Sequence, residues 1–187
     1  MNCCHYYQFI PGNEQVFSAD VTRIRYGCGV LKELGQEARA LGIKRAAVYT
    51  DSRIRSLPLF DEAVAALRAE GIEAVIYDEV RVEPTDISFK EAARFAKSST
   101  FDGFISIGGG SVIDTAKAAN LYSSCEGDFM DYVNAPIGRG LVVPGPLRPH
   151  LACPTTAGTG SESTCLLYTS DAADDTPCVD LGGRRII

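Results

Sequence analysis

At 187 residues the chain is long enough for one domain with a sizeable core, and 45% hydrophobic with 22% charged residues is ordinary for a globular protein. A net charge of -6 argues against nucleic acid or an anionic membrane as the main partner. No apolar run approaches the roughly 20 residues of a membrane span.

The chain opens with MNCCHYYQF, which has neither a basic region nor a sustained apolar core, so no secretory leader is expected. Residues 1–20 read as an N-terminal extension, and Cys3-Cys4-His5 as an ordinary terminus rather than a metal or lipidation site. The seven cysteines are scattered without CxxC or metal spacing, which points to a reducing compartment.

From residue 21 onward strands and helices alternate. Arg23 to Tyr26 reads as an edge strand; Leu31, Leu34, Ala38 and Leu41 mark a helix stopped at Gly42; Ala46 to Thr50 is a strand ending at Asp51. Phe60, Val64 and Leu67 mark a second helix stopped by Gly71, Glu73 to Tyr77 a strand, and Phe89, Ala92, Ala93 and Ala96 a third helix. Phe104 to Ile107 is a short apolar strand, and residues 134 to 150, rich in proline and glycine, form a long connection and part of an active-site rim. Strands separated by such helices predict an α/β fold, a parallel sheet covered on both faces, whose ligands collect at the carboxyl ends of the strands.

Two stretches fall at such ends. Residues 108 to 117 read GGGSVIDTAK: three glycines join the strand to a helix marked by Val112, Ile113, Ala116 and Ala119. Lacking Cβ atoms, Gly108, Gly109 and Gly110 let a ligand approach the backbone, and the N–H groups of the first helical turn attract an anion such as phosphate. The same residues are also compatible with a plain strand-to-helix turn N-capped by Ser111, in which Asp114 and Lys117 are ordinary helix charges. Residues 154 to 162 read PTTAGTGSE after the apolar Leu151-Ala152-Cys153, and Thr155, Thr156, Thr159 and Ser161 could each donate to a phosphate or a carboxamide. Cys153 reads as a small buried hydrophobe.

Together GGGSVIDTAK and PTTAGTGSE resemble the paired signature of the iron-containing, group III alcohol dehydrogenases. Within that family VRVEPTDISFKEAARFAKSSTFDGFISIGGGSVIDTAKAANLY and DYVNAPIGRG resemble the hydroxyacid-oxoacid transhydrogenase branch, with the likeness covering roughly Val21 to Thr164. The resemblance implies a Rossmann-like N-terminal domain, like that of dehydroquinate synthase, that binds NAD, and an all-helical C-terminal domain that holds a divalent metal, usually iron. Gly108, Gly109, Gly110 and Ser111 match its pyrophosphate loop, Asp114 and Lys117 its acid and base near the cofactor, and Thr155, Thr156 and Thr159 its second cofactor loop. Asp51 matches the acid that meets the adenosine ribose and favours NAD over NADP, although a strand-end aspartate capping the next turn is the plainer reading of that residue alone. Glu83-Pro84-Thr85 occupies a third loop turned toward the cofactor.

After Thr164 the family continues with a helix, an aspartate and three histidines that hold the metal; here CLLYTSDAADDTPCVDLGGRRII follows, and residues 165–187 read as a non-native tail. His5 and His150 lie outside the family's ligand positions. The expectation is thus a dinucleotide-binding domain over 21–164, inactive by itself. It would be the front part of an enzyme that moves a hydride between a hydroxyacid such as 4-hydroxybutyrate and an oxoacid such as 2-oxoglutarate, or NAD. A general alcohol dehydrogenase of the family and a non-catalytic nucleotide-binding module remain open. Glycerol-dehydrogenase and dehydroquinate-synthase relatives share the architecture, and PTTAGTGSE disfavours them. Intact relatives are expected to be homo-oligomers acting on small molecules, in the cytoplasm or, for a eukaryotic source, the mitochondrial matrix.

Overall fold

The computed structural model describes residues 23–133 and 136–161. The 1–20 extension, the segment 165–187, His5 and Cys3-Cys4 lie outside the described residues. Five helices and four strands alternate along the described chain: α1 (Leu34–Ala40), β1 (Arg45–Tyr49), α2 (Ser52–Arg55), α3 (Pro58–Ala69), β2 (Glu73–Tyr77), α4 (Asp86–Lys97), β3 (Gly103–Gly108), α5 (Gly110–Ser124) and β4 (His150–Pro154). The strands form one parallel sheet in the order β2-β1-β3-β4.

Strand periodicity decides the layers. On β1, Ala46 and Val48 face one side and Ala47 and Tyr49 the other, because successive side chains alternate. The first side packs Leu34, Ala38, Phe60, Ala63, Val64 and Leu67 of α1 and α3 against the sheet. The second packs Ala92 and Ala96 of α4 and Val112, Ala116 and Ala119 of α5. This second layer is aromatic: Tyr49 lies 5.3 Å from Tyr77, 5.8 Å from Phe95 and 6.0 Å from Phe104, ring centre to ring centre. β3 is buried along its whole length, as a central strand covered on both faces must be.

The helix stops follow the chain's glycines. Gly42 and Gly71 adopt positive φ (79° and 75°) just past α1 and α3, the left-handed conformation that glycine reaches without a Cβ penalty. α3 starts with Pro58 in its first turn, and α4 with a reciprocal box in which Thr85 Oγ1 accepts from Ser88 N–H while Ser88 Oγ accepts from Thr85 N–H.

Two expectations need correction. Arg23 to Tyr26 has no regular structure and pairs with no described strand; Arg25 instead reaches Glu33 (2.6 Å) and Glu37 (2.8 Å), so it meets charge partners on the following helical turns rather than a sheet edge. Ser111 is not the N-cap of α5, because the helix begins one residue earlier, with Gly109 in the cap position and no side chain capping it. The connection ahead of β4 carries a short 3-10 turn (Phe129–Asp131) and packs Phe129, Tyr132, Val143 and Leu147 against α4 and α5. Asn120 Nδ2 fastens it by donating to the Arg148 carbonyl at 2.8 Å.

Candidate functional site

The sheet order places a topological switch point between β1 and β3: from β1 the chain goes outward to β2, then returns to build β3 on the opposite side. Parallel sheets bind ligands in the crevice that this reversal opens at the carboxyl ends of the strands. Beneath that crevice Thr50, fully buried, donates from Oγ1 to the Ile107 carbonyl at 2.9 Å, which ties the end of β1 to the end of β3.

From β1, Asp51 caps α2, accepting on Oδ1 from the N–H groups of Arg53 (2.9 Å) and Ile54 (3.0 Å). The plain capping reading therefore holds, and it engages one oxygen while Oδ2 stands outside the cap. From β3, Gly108, Gly109 and Gly110 carry the chain into α5. No side chain caps the helix; the Val112 and Ile113 N–H groups bond to the Gly109 carbonyl at 3.0 and 3.1 Å, and those of Gly110 and Ser111 precede them at the positive end of the helix dipole.

The third element is the strap after β4, residues 155 to 161. It starts with Thr155 N–H donating to the Gly108 carbonyl at 2.9 Å. It then runs through Thr155, Thr156 and Thr159, all exposed, and turns at Gly158 and Gly160, both at positive φ. The strap sits on the glycine loop. A Cβ on Gly109 would lie 2.9 Å from Thr156 Oγ1, and one on Gly110 would lie 2.9 Å from Ser161 Oγ and 3.2 Å from Thr159 Cβ. A side chain at 109 or 110 would press on the strap's hydroxyl-bearing side chains, so these glycines also favour the close approach of a second chain segment.

Asp114 and Lys117, spaced i, i+3 on α5, meet the far end of the strap: Ser161 Oγ donates to Asp114 Oδ2 at 3.3 Å, and Lys117 Nζ donates to the Ser161 carbonyl. Burial lifts the Asp114 carboxyl above the ordinary carboxylate range, while Lys117 and the Ser161 hydroxyl draw it partway back. Ser111 points elsewhere. Its Oγ accepts from Glu83 N–H at 3.4 Å, which brings the third loop to the start of α5, and Glu83 holds a positive φ of 57° that is rare for a residue with a side chain.

Sequence reading missed the support beneath the site. His150 at the start of β4 is partly covered, with Nε2 2.9 Å from Ser106 Oγ, and burial followed by the nearby Lys117 pushes its imidazole down to about 3. Burial pushes the Cys153 thiol up to about 12, as suits an inert core residue. Among the described residues no group of three or more His, Cys, Asp or Glu could hold a metal ion. The described residues by themselves therefore do not fit iron. Hydroxyl-bearing residues of the strap, the start of α5 and the Asp51 carboxylate all lie at the carboxyl ends of the strands, donors and acceptors of the kind a dinucleotide needs.

Comparison with known proteins agrees. The family model described as "Iron-containing alcohol dehydrogenase" matches residues 21–180, past Thr164 where the sequence motifs place the end of the resemblance. The mitochondrial hydroxyacid-oxoacid transhydrogenases of Bos taurus and Homo sapiens are 49% and 47% identical over 168 residues. Each alignment takes in 86% of this chain and 36% of the relative, so the chain spans about a third of those proteins. Among solved structures, the NADH-dependent butanol dehydrogenase A of Thermotoga maritima superposes with a TM-score of 0.70 at 28% identity, over 79% of this chain and 36% of that one. The sulfoacetaldehyde reductase of Bifidobacterium kashiwanohense, solved in complex with NAD+, gives 0.68 at 26% identity over 82% and 39%. Shared motifs, shared sheet and a family match over most of its length place this chain in the iron-containing alcohol dehydrogenase family.

Proposed function

We propose that residues 21–164 are the dinucleotide-binding part of a metal-dependent oxidoreductase. The reaction is hydride transfer between a hydroxyacid of the 4-hydroxybutyrate type and an oxoacid of the 2-oxoglutarate type, or NAD. The observation that carries this reading is the β1/β3 switch point, at whose carboxyl end a helix start without a side-chain cap and a hydroxyl-rich strap meet. The choice of substrate class is supported by the 49% identity to a protein named hydroxyacid-oxoacid transhydrogenase. That relative is named mitochondrial, which supports the matrix over the cytoplasm as the location.

Bound there, NAD supplies a carbon that accepts and returns a hydride. The chain's own residues hold and orient it. The first-turn N–H groups of α5, approached across Gly108, Gly109 and Gly110, receive the pyrophosphate, each such contact gaining about 0.3–1 kcal/mol from the helix dipole. The hydroxyls of Thr155, Thr156 and Thr159 donate from the facing strap, and Asp51 Oδ2 accepts from the ribose hydroxyls and repels a 2′-phosphate. None of the described residues forms a cluster of three or more His, Cys, Asp or Glu that could hold iron, so the metal would be held by other residues, and the intact protein is proposed to be a homo-oligomer.

Titration of the 187-residue chain with NADH and NADPH, followed by nucleotide fluorescence, tests the reading. Weak saturable binding of NADH, tighter than that of NADPH, is expected, with no oxidation of 4-hydroxybutyrate on adding ferrous iron. Absence of NADH binding at millimolar concentration overturns the cofactor assignment, and metal-dependent turnover overturns the inactivity. A non-catalytic nucleotide-binding module is the second reading, favoured by the lack of a metal-ligand cluster among the described residues. It predicts NADH binding that survives in the longest natural form of the protein without any turnover.

A further inference from the structure

We propose that Asp114 and Lys117 are positioning residues: they fasten the far end of the threonine strap to α5 and serve the dinucleotide through the strap. The inference rests on the reading of the crevice as a dinucleotide site and assigns these two charges a different task within it.

The strap is anchored at two points. Its near end is a continuation of β4, held by the Thr155 N–H bond to the Gly108 carbonyl. Its far end is Ser161, the one buried residue in a segment whose positions 155 to 159 are all exposed. Ser161 is gripped on two sides: its hydroxyl donates to Asp114 Oδ2 and its carbonyl accepts from Lys117 Nζ. The Ser161 N–H in turn donates to Thr159 Oγ1 at 3.4 Å, so the grip extends to a threonine of the exposed stretch. Between the anchors, Gly158 and Gly160 at positive φ reverse the chain. A segment with two glycines and little burial loses much conformational entropy on ordering, and the contacts of Thr155 and Ser161 offset part of that cost.

The geometry also separates Asp114 and Lys117 from the helix start. Gly110 and Ser111 occupy the first turn, whereas Asp114 and Lys117 lie one and two turns along α5, where their polar atoms meet Ser161. Two charges of opposite sign are a natural pair for this job, since one supplies an acceptor for the hydroxyl and the other a donor for the carbonyl of the same residue.

Hydrogen exchange followed by NMR on the 187-residue chain, paired with NADH titration, tests this. In Asp114→Ala and Lys117→Met the Ser161 amide is expected to exchange about tenfold faster, with amides of β1 and β3 unchanged and NADH affinity falling about tenfold in parallel. Asp114→Asn and Lys117→Arg keep an acceptor and a donor and are expected to restore most of both. Ser161→Ala removes only the hydroxyl, and it decides the matter if the Asp114 variant fails to fold: it should loosen the Gly160 and Thr159 region and weaken NADH while the helix stays intact. A fall in NADH affinity with Ser161 exchange unchanged overturns the proposal in favour of direct contact with the nucleotide. Faster exchange throughout the sheet overturns it in favour of a general role in folding. If the parent chain binds no NADH, the dinucleotide reading fails while the exchange data still decide whether the strap is held as described.

Discussion

The two loops that meet at the carboxyl end of the sheet are built in opposite ways. The glycine loop is a joint between a fully buried strand and a 15-residue helix, and its shape follows from the elements on either side. The threonine strap follows a strand that is only partly buried and has no regular structure beyond it in the described chain; its shape depends on contacts at its ends and on two left-handed glycines. One wall of the site is therefore set by the core and the other by a few polar contacts, so stability and ligand affinity should be separable by mutation.

The largest effect should come from the core-built wall. In Gly108→Ala the new Cβ would stand 2.5 Å from Val112 Cγ2 and 2.7 Å from Val112 Cβ. Valine has one strongly preferred rotamer in a helix and cannot swing aside, so the joint itself must move. A loss of about 2 kcal/mol or more is expected in urea denaturation; a loss under about 0.5 kcal/mol would show that the joint is as compliant as the strap.

Next in size is the acid sensitivity of the strap's own strand. His150 is held neutral in the fold, with its imidazole pushed down to about 3 against an ordinary value of 6.5. A depressed value means that stability from this group is present above pH 6.5 and is lost as pH falls from there toward 3, because the unfolded chain takes up the proton first. Between pH 7 and pH 5 the protein should lose about 2 kcal/mol from this residue, and His150→Leu should abolish that part of the pH dependence. An unchanged pH profile in the variant would show that burial and Lys117 do not keep the ring neutral.

The smallest effect on stability belongs to the exposed hydroxyls. Thr156→Val keeps the shape and the β-branch, and is expected to change the denaturation free energy by less than about 0.5 kcal/mol while weakening NADH several-fold. Equal loss of stability and affinity would erase the distinction between the two walls.

How much of this was legible in the sequence follows the same division. The α/β alternation could be read because each element carries its own period: Phe60, Val64 and Leu67 at helical spacing, Ala46 to Thr50 as a buried run. Both loops could be located because glycines and threonines cluster at strand ends. Arg23 to Tyr26 was misread because a charged and apolar alternation suits any extended segment, and pairing requires a neighbour that local pattern cannot reveal. The roles of Thr50, His150 and Ser161 were invisible for a related reason: each depends on one partner far away in the chain, Ile107, Ser106 and Asp114 respectively. Asp51 was legible as a cap and as a ribose acid alike, and the structure shows the cap, made by Oδ1.

The aromatic layer has a practical use. The chain contains no tryptophan, and of the described tyrosines all but the exposed Tyr26 lie on the side of the sheet covered by α4 and α5, with Tyr49, Tyr77 and Tyr122 buried there. The near-ultraviolet circular dichroism contributed by the described tyrosines should therefore report mainly on that side of the sheet rather than on the side built by α1 and α3. Nicotinamide emission, excited at longer wavelength, would add a separate optical channel for the crevice between them.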